Sequence, residues 1–223
     1  MGALFITATG TDIGKTHLAC ALIRYLRGRG QDVEALKPVA TGFDPMQPDK
    51  SDTGLLLAAL DRPATMENIA SVTPWHFAAP LAPERAARRE GRLLDFDQLV
   101  AFTRAAVRDH RGTLLIEGIG GVMVPLTPAR TVLDWMAAIR IPVILVAGSY
   151  LGSISHTLTC LEVMRQRDLA LAAVVINESD HSTVTLEDTV ESIALFAKGL
   201  PILSLKRAGA SDEVMDRIYV LVV

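Results

Sequence analysis

The sequence predicts an α/β protein: a three-layer sandwich with a mostly parallel central sheet and helices on both of its faces. Three observations carry that expectation. Short apolar runs of strand length alternate with longer stretches of helical period. The runs are apolar at consecutive positions, as strands buried on both faces must be. Glycine-rich or polar residues follow the runs directly, at the carboxyl ends where an open parallel sheet binds its ligands.

Taken in order, the runs Ala3–Ala8, Val33–Leu36, 114–116, 142–147 and 171–176 are the expected strands, with Ile202–Leu205 as an added edge strand. Helical period marks 16–27, 52–60, Phe96–Asp109, 131–139, Ser153–Gln166 and 186–197. The stretch 43–91 is richest in proline and poorest in period, so it is expected to run as a long excursion over the strand ends. It is too short for a second domain, and one domain is expected over 1–223.

Composition narrows the class further. Of 223 residues, 50% are apolar and 21% charged, enough for one sizeable core and a poor match to disorder. No apolar run reaches the roughly 18 residues that a membrane-spanning helix requires. The first eight residues lack the basic start of a secretory signal. Cys20 and Cys160 lie far apart without metal-ligand spacing, which fits a reducing compartment. A net charge of −3 with 5% aromatics argues against general nucleic-acid binding. The expected protein is soluble and cytoplasmic, without nucleic-acid or membrane partners.

The first loop is the most informative. Thr9, Gly10, Thr11, Asp12, Ile13, Gly14, Lys15 and Thr16 stand between a buried strand and an apolar helix. A phosphate-binding loop needs backbone N–H groups turned inward and the positive end of a helix dipole. It also needs a lysine for the outer phosphates and a Ser/Thr hydroxyl for magnesium. Gly14, Lys15 and Thr16 fit those roles. Thr9 stands where the usual pattern has its first glycine, and Gly10 is expected to carry the turn instead. His17 is assigned no role.

The remaining strand ends offer further polar groups. Lys37, followed by Pro38 and then Thr41 and Gly42, places a second cation beside the phosphate loop; a solvated strand-end lysine is the competing use. Asp52 fits either a magnesium ligand or a helix N-cap. Glu117 ends a buried strand and needs a partner, supplied by a metal or by an ion pair. Gly118, Gly120 and Gly121 then argue for close backbone approach to a ligand. Gly152, Ser153, Ile154 and Ser155 open a helix and suit an anion such as a carboxylate, or simply connect two elements. Asn177 offers an amide toward a base edge, or forms a turn. Arg85, Arg88, Arg89 and Arg92 read as a solvated helix face.

The series resembles the dethiobiotin synthetase family along nearly the whole chain. The phosphate loop from Thr7 to Thr16 is similar to that family's loop, and the Lys37–Gly42 segment resembles its KPVxTG stretch. Ser51 with Asp52, the FxxPxxP stretch from Phe77 to Pro83, and EGxGG from Glu117 with Pro125 and Leu126 continue the match. The 151–157 segment and Asn177 complete it. The resemblance implies a P-loop NTPase-type fold and a homodimer using ATP, Mg2+, 7,8-diaminononanoate and CO2 or bicarbonate. It implies Lys37, Lys15 and Thr11 as catalytic residues, and Asp12, Ile13, Gly14, Lys15, Thr16 and Asn177 as nucleotide contacts. Substrate contacts would be Thr41, Gly118, Gly152, Ser153, Ile154 and Ser155, and magnesium would sit at Thr16, Asp52 and Glu117.

Three departures stand out. Asp12 replaces a common glutamate, Ser155 a common asparagine, and residues 204–210 lack a proline-containing base-binding turn. Two rival classes are a different phosphoryl-transfer enzyme on the same scaffold and a partner-controlled ATPase switch. The switch is disfavoured, because no extra lysine occurs early in the loop and 214–223 is short and poor in basic residues.

Overall fold

The chain is represented by a computed structural model that describes residues 2–207 and 212–222. In chain order its elements are β1 (Ala3–Ala8), α1 (Lys15–Gly28), β2 (Val33–Leu36), β3 (Val39–Thr41), a 3-10 turn (Pro48–Lys50), α2 (Asp52–Ala59), α3 (Met66–Val72) and β4 (Trp75–Phe77). There follow α4 (Pro83–Arg89), α5 (Phe96–Asp109), β5 (Thr113–Glu117), β6 (Pro125–Thr127), β7 (Arg130–Thr131), α6 (Val132–Ile139) and β8 (Val143–Gly148). The last are α7 (Ser153–Gln166), β9 (Leu171–Asn177), α8 (Leu186–Ala194), β10 (Ile202–Leu205) and α9 (Asp212–Val222).

Six strands form one sheet in the order β10-β9-β8-β1-β5-β2, and every neighbouring pair is parallel. Successive side chains of these strands enter opposite apolar layers, as the two-residue strand period requires. Phe5, Leu114, Ile116, Leu145 and Ile176 pack with α5, α6, α7 and α8. Leu4, Ile6, Leu115, Val146 and Val175 pack with α1, α2 and α9. Both faces of the central strands are therefore dry, which is why their sequences are mostly apolar, whereas the edge strand β2 carries an exposed Glu34. β2 and β5 lie on one side of β1 and β8, β9 and β10 on the other, so the strand order reverses at β1. The crevice over the carboxyl end of β1 is thus the expected ligand site.

The 43–91 stretch has more order than its sequence suggests. It holds α2, α3, β4 and α4, and β4 pairs in parallel with β3 through Thr41 and Phe77. The Gly42 N–H donates to the Ala79 carbonyl and the Phe43 N–H to the Phe77 carbonyl. This small two-stranded ladder holds the segment after Lys37 in place. Arg92 departs from the expected solvated face: its guanidinium lies 4.6 Å from the Phe77 ring centroid and donates to the His76 carbonyl. It lies beyond the end of α4 and braces β4.

Among the described residues no helix is long and apolar enough to cross a membrane. α9 packs on the sheet through Met215 and Ile218, and its Asp216 accepts from Tyr25 of α1 and from Arg29, which caps that helix.

Candidate active site

The phosphate loop owes its shape to two residues with left-handed backbone. Gly14 has φ +95° at the N-cap of α1 and Asp12 has φ +57°. Gly10 is not among the positive-φ residues, so the left-handed backbone of the loop falls at Asp12 and Gly14. Closeness explains the neighbouring glycine instead: a Cβ on Gly121 would sit 3.0 Å from the Thr9 carbonyl oxygen and 3.3 Å from the Gly10 Cα. Gly118 likewise packs on β1, where a Cβ would lie 2.9 Å from the Phe5 ring. The glycines after β5 therefore let two strand ends of this chain approach one another.

Lys15 is buried, and its Nζ donates to the Gly10 carbonyl at 3.1 Å and the Gly120 carbonyl at 2.8 Å. Burial, followed by the neighbouring charge of Lys37, lowers its pKa to about 8. Thr11 and Asp12 are exposed on the outer side of the loop.

A second cluster stands beside it. Lys37 is 3% exposed at the end of β2, and its Nζ lies 2.5 Å from Glu117 Oε1 and 2.8 Å from Asp52 Oδ2. Burial opposes the ammonium charge, but Glu117 and Asp52 outweigh it, so the Lys37 pKa is raised. For Asp52, burial acts upward and is outweighed by Lys37 and by a Thr16 hydrogen bond, leaving its carboxyl below the usual range. The N-cap alternative for Asp52 is taken by Ser51, whose Oγ accepts from the Gly54 N–H. Asp52 is consequently left to face the lysine.

Thr16 Oγ1 donates to Glu117 Oε1 at 2.7 Å, tying the phosphate-loop helix to β5. The second oxygen of Glu117 is buried and without a partner. Thr16, Asp52 and Glu117 thus present a hydroxyl and two carboxylates, one with an orphaned oxygen. That is a hard-oxygen donor set suited to magnesium carried by nucleotide phosphates and waters. Among the described residues no group of three or more His, Cys, Asp and Glu forms an all-protein metal cage.

Across the sheet, a cleft of about 410 Å³ is lined by Asp12, Ile13, Gly14, His17, Asn177, Glu178, Ser179, Asp180, Leu205, Lys206 and Arg207. Asn177 Nδ2 donates to the Ile13 carbonyl at 2.7 Å and the Gly14 carbonyl at 3.3 Å. Its Oδ1 remains buried and unpartnered. The Arg207 N–H donates to Glu178, and the Arg207 side chain pairs with Asp180 at 3.3 Å. Glu178, Ser179 and Asp180 were not singled out in the sequence, although they follow β9 and the strand-end rule already contained them; His17, given no role, and Lys206 and Arg207, noted only for the proline their segment lacks, line the cleft as well. Of the segment compared with a base-binding turn, 208–210 lies outside the described residues.

Gly152 has φ +96° and caps α7, while Ser153 is buried with an unpartnered Oγ. Ile154 is half-buried and Ser155 exposed in the same first turn. Thr41 is half-buried at the end of β3. The structure therefore gathers Thr16, Lys37, Asp52 and Glu117 into one bonded cluster, with Lys15 beside it on the Gly10 and Gly120 carbonyls. Asp12, Ile13, Gly14 and Asn177 line the adjoining cleft. No bonded contact joins Thr41 or the 152–155 turn to the cluster.

Fold and loop together define a nucleotide-binding α/β protein of the phosphate-loop class, built to hold a phosphate chain against a buried cation and carboxylate. A family model described as an AAA domain matches residues 2–205. The ATP-dependent dethiobiotin synthetase BioD of Methylobacterium nodulans is 50% identical over 214 residues, covering 94% of this chain and 95% of the relative. Its counterpart in Caulobacter vibrioides is 48% identical over 213 residues, covering 95% of each. The chain belongs to the ATP-dependent dethiobiotin synthetase family. Among solved structures, the Pyrococcus furiosus cell division ATPase MinD is similar with TM-score 0.55 and 16% identity, covering 100% of this chain and 89% of that one. The Aquifex aeolicus MinC:MinD complex is similar with TM-score 0.57 and 12% identity, covering 98% and 86%. These two likenesses concern the fold, which many chemistries share.

Proposed function

We propose that this protein is an ATP-dependent cyclo-ligase that carboxylates 7,8-diaminononanoate with CO2 and closes the ureido ring of dethiobiotin, releasing ADP and phosphate. The carrying observation is the buried Lys37, held between Glu117 and Asp52 and joined through Thr16 to the phosphate loop. A nucleotide-hydrolysing loop alone does not need a second buried lysine. A transferred phosphoryl group meeting an anionic acceptor does.

The chemistry divides into three steps. One amine of the diamine attacks CO2, forming a C–N bond and losing a proton to give a carbamate. A carbamate oxygen then attacks the γ-phosphorus, and the bond to the ADP oxygen breaks. Finally the second amine attacks the carbonyl carbon and gives up a proton to solvent, the ring closes, and phosphate departs with the oxygen it received. Lys15 and Lys37 supply fixed positive charge where negative charge collects on the phosphoryl oxygens and the carbamate. Lys37 remains protonated because its two carboxylate neighbours hold its pKa above the ordinary lysine value. Thr11 and Asp12 contact nucleotide and diamine from the rim of the loop, and Thr41 offers a hydroxyl near the reacting carbamate. Thr16, Asp52 and Glu117 would hold Mg2+, which would neutralise outer phosphate charge. Asn177 presents its free Oδ1 to an amino-bearing base.

The backbone at Gly118 contacts the diamine where β5 ends, and the 152–155 turn takes the carboxylate tail. The protein works as a homodimer, with that turn serving the neighbouring subunit. The exposed apolar side chains of Leu151 and Met123 support such an interface. Two free cysteines are consistent with a cytoplasmic setting. One domain carries the whole activity.

The direct test follows ATP turnover with and without 7,8-diaminononanoate and bicarbonate while product mass is read. ADP released one-for-one with dethiobiotin is expected. Hydrolysis indifferent to the diamine, with no ureido product, would sink the proposal.

A further inference from the structure

The sheet order separates two tasks. Lys15, Thr16, Lys37 and Glu117 sit at the ends of β1, β2 and β5, whereas Asn177 and the 152–155 turn sit at the ends of β9 and β8. One buried residue joins the latter two loops. Ser149, 1% exposed and placed directly after β8, donates its N–H to the Asn177 carbonyl at 3.0 Å. Its Oγ accepts from the Ser179 N–H at 3.0 Å. We infer that Ser149 is a positioning residue that sets the nucleoside cleft and the tail-binding turn together, building on the proposed ATP and diamine sites.

The surrounding geometry leaves the junction little freedom. Gly148 pairs with Asn177 in the β8–β9 register. A Cβ there would lie 2.7 Å from Ser179 Oγ and 2.9 Å from the Tyr150 ring, so the two loops touch without a spacer. Beyond Ser149, the Tyr150 carbonyl accepts from the Ser153 N–H at 2.9 Å, and the Tyr150 hydroxyl bonds His156 Nδ1 at 2.9 Å. A displacement at Ser149 therefore passes along a bonded path into the first turn of α7. In the other direction it reaches Ser179 and Asn177, whose amide braces Ile13 and Gly14. Ser149 itself touches none of the residues assigned to phosphoryl transfer.

Replacing Ser149 by Ala removes the only acceptor found for the Ser179 N–H among the described residues, while the Ser149 N–H contact persists. The Ser179 N–H is half-buried at the cleft wall, and losing its protein acceptor there loosens the turn that holds Asn177. The expected result for Ser149→Ala is a rise of about 3–10-fold in KM for both ATP and 7,8-diaminononanoate, with kcat within about two-fold of the parent. Loss of binding common to ground and transition states has that form. ADP affinity, measured by calorimetry without the diamine, should fall by a similar factor.

Thermal midpoint and kcat distinguish positioning from general damage. A fall in kcat as large as the rise in KM, or a change in only one of the two KM values, overturns the inference. The parent enzyme run in parallel separates the two layers of argument. If it makes no dethiobiotin, the proposed function fails, whereas parent turnover with an unaffected variant defeats the role of Ser149 alone.

Discussion

Removing the Lys37 ammonium tests the centre of the site twice over, once through stability and once through rate. In Lys37→Gln the Glu117 carboxylate, 1% exposed, loses its 2.5 Å cationic partner and keeps the Thr16 hydroxyl. Breaking a buried ion pair from one side typically costs about 3–5 kcal/mol, because a charge stays buried without compensation. Asp52, half-exposed, contributes little to that loss because water screens it. In a domain of this size each kcal/mol moves Tm by about 2–4 °C, so a drop of roughly 6–20 °C is expected at pH 7. The double variant Lys37→Gln with Glu117→Gln removes the orphaned charge and should recover most of that drop. The kinetic consequence is separate. Loss of a charge aimed at the transferring phosphoryl should lower kcat by about 10²–10³-fold. Nucleotide affinity, set by the loop and the Asn177 cleft, should change by less than about three-fold. Calorimetric melting, ADP titration and steady-state turnover measure the three quantities. An unchanged Tm refutes the buried-pair argument, and equal losses in affinity and turnover refute the assigned role.

Other outcomes follow from the same geometry. Lys15, with its pKa lowered from 10.5 to about 8, binds fewer protons folded than unfolded between those values, so nucleotide-free stability should rise with pH across that window. Lys15→Met should remove that rise in melts recorded from pH 7 to 10; a slope that survives the substitution would assign it elsewhere. Asn177→Ala frees the Ile13 and Gly14 carbonyls and removes the base-facing oxygen, so KM for ATP should climb about 10-fold or more with a smaller effect on kcat. Gly54→Ala would drive a methyl into the Pro48 and Asp49 carbonyls. Because Ser51 and Asp52 follow directly, both stability and turnover should fall, read by melting and by product formation; a parent-like variant would show that this turn tolerates movement.

The phosphate loop and the strand ends were legible because local chemistry dictates them. A glycine with left-handed φ, a following lysine and a hydroxyl make sense in one arrangement only, a helix N-terminus after a strand. The same holds for the sheet, since uninterrupted apolar runs must be buried on both faces. The order of the 43–91 stretch was hidden because its short elements are stabilised by β3–β4 pairing and by Arg92 on Phe77, contacts between residues distant in sequence. His17 was given no role for a similar reason: what makes it part of the cleft is the loop after β9.

By itself the sequence determined the layered architecture, the phosphate loop and the list of polar groups at the strand ends. Only the tertiary structure decided how those groups combine. It assigned Lys37 to Glu117 and Asp52, gave the N-cap to Ser51, and turned the glycines after β5 toward β1. Strand and turn preferences act over a few residues and are written in order along the chain. Ion pairs and close backbone approaches depend on which strands lie side by side, and burial then sets how strongly each pair holds.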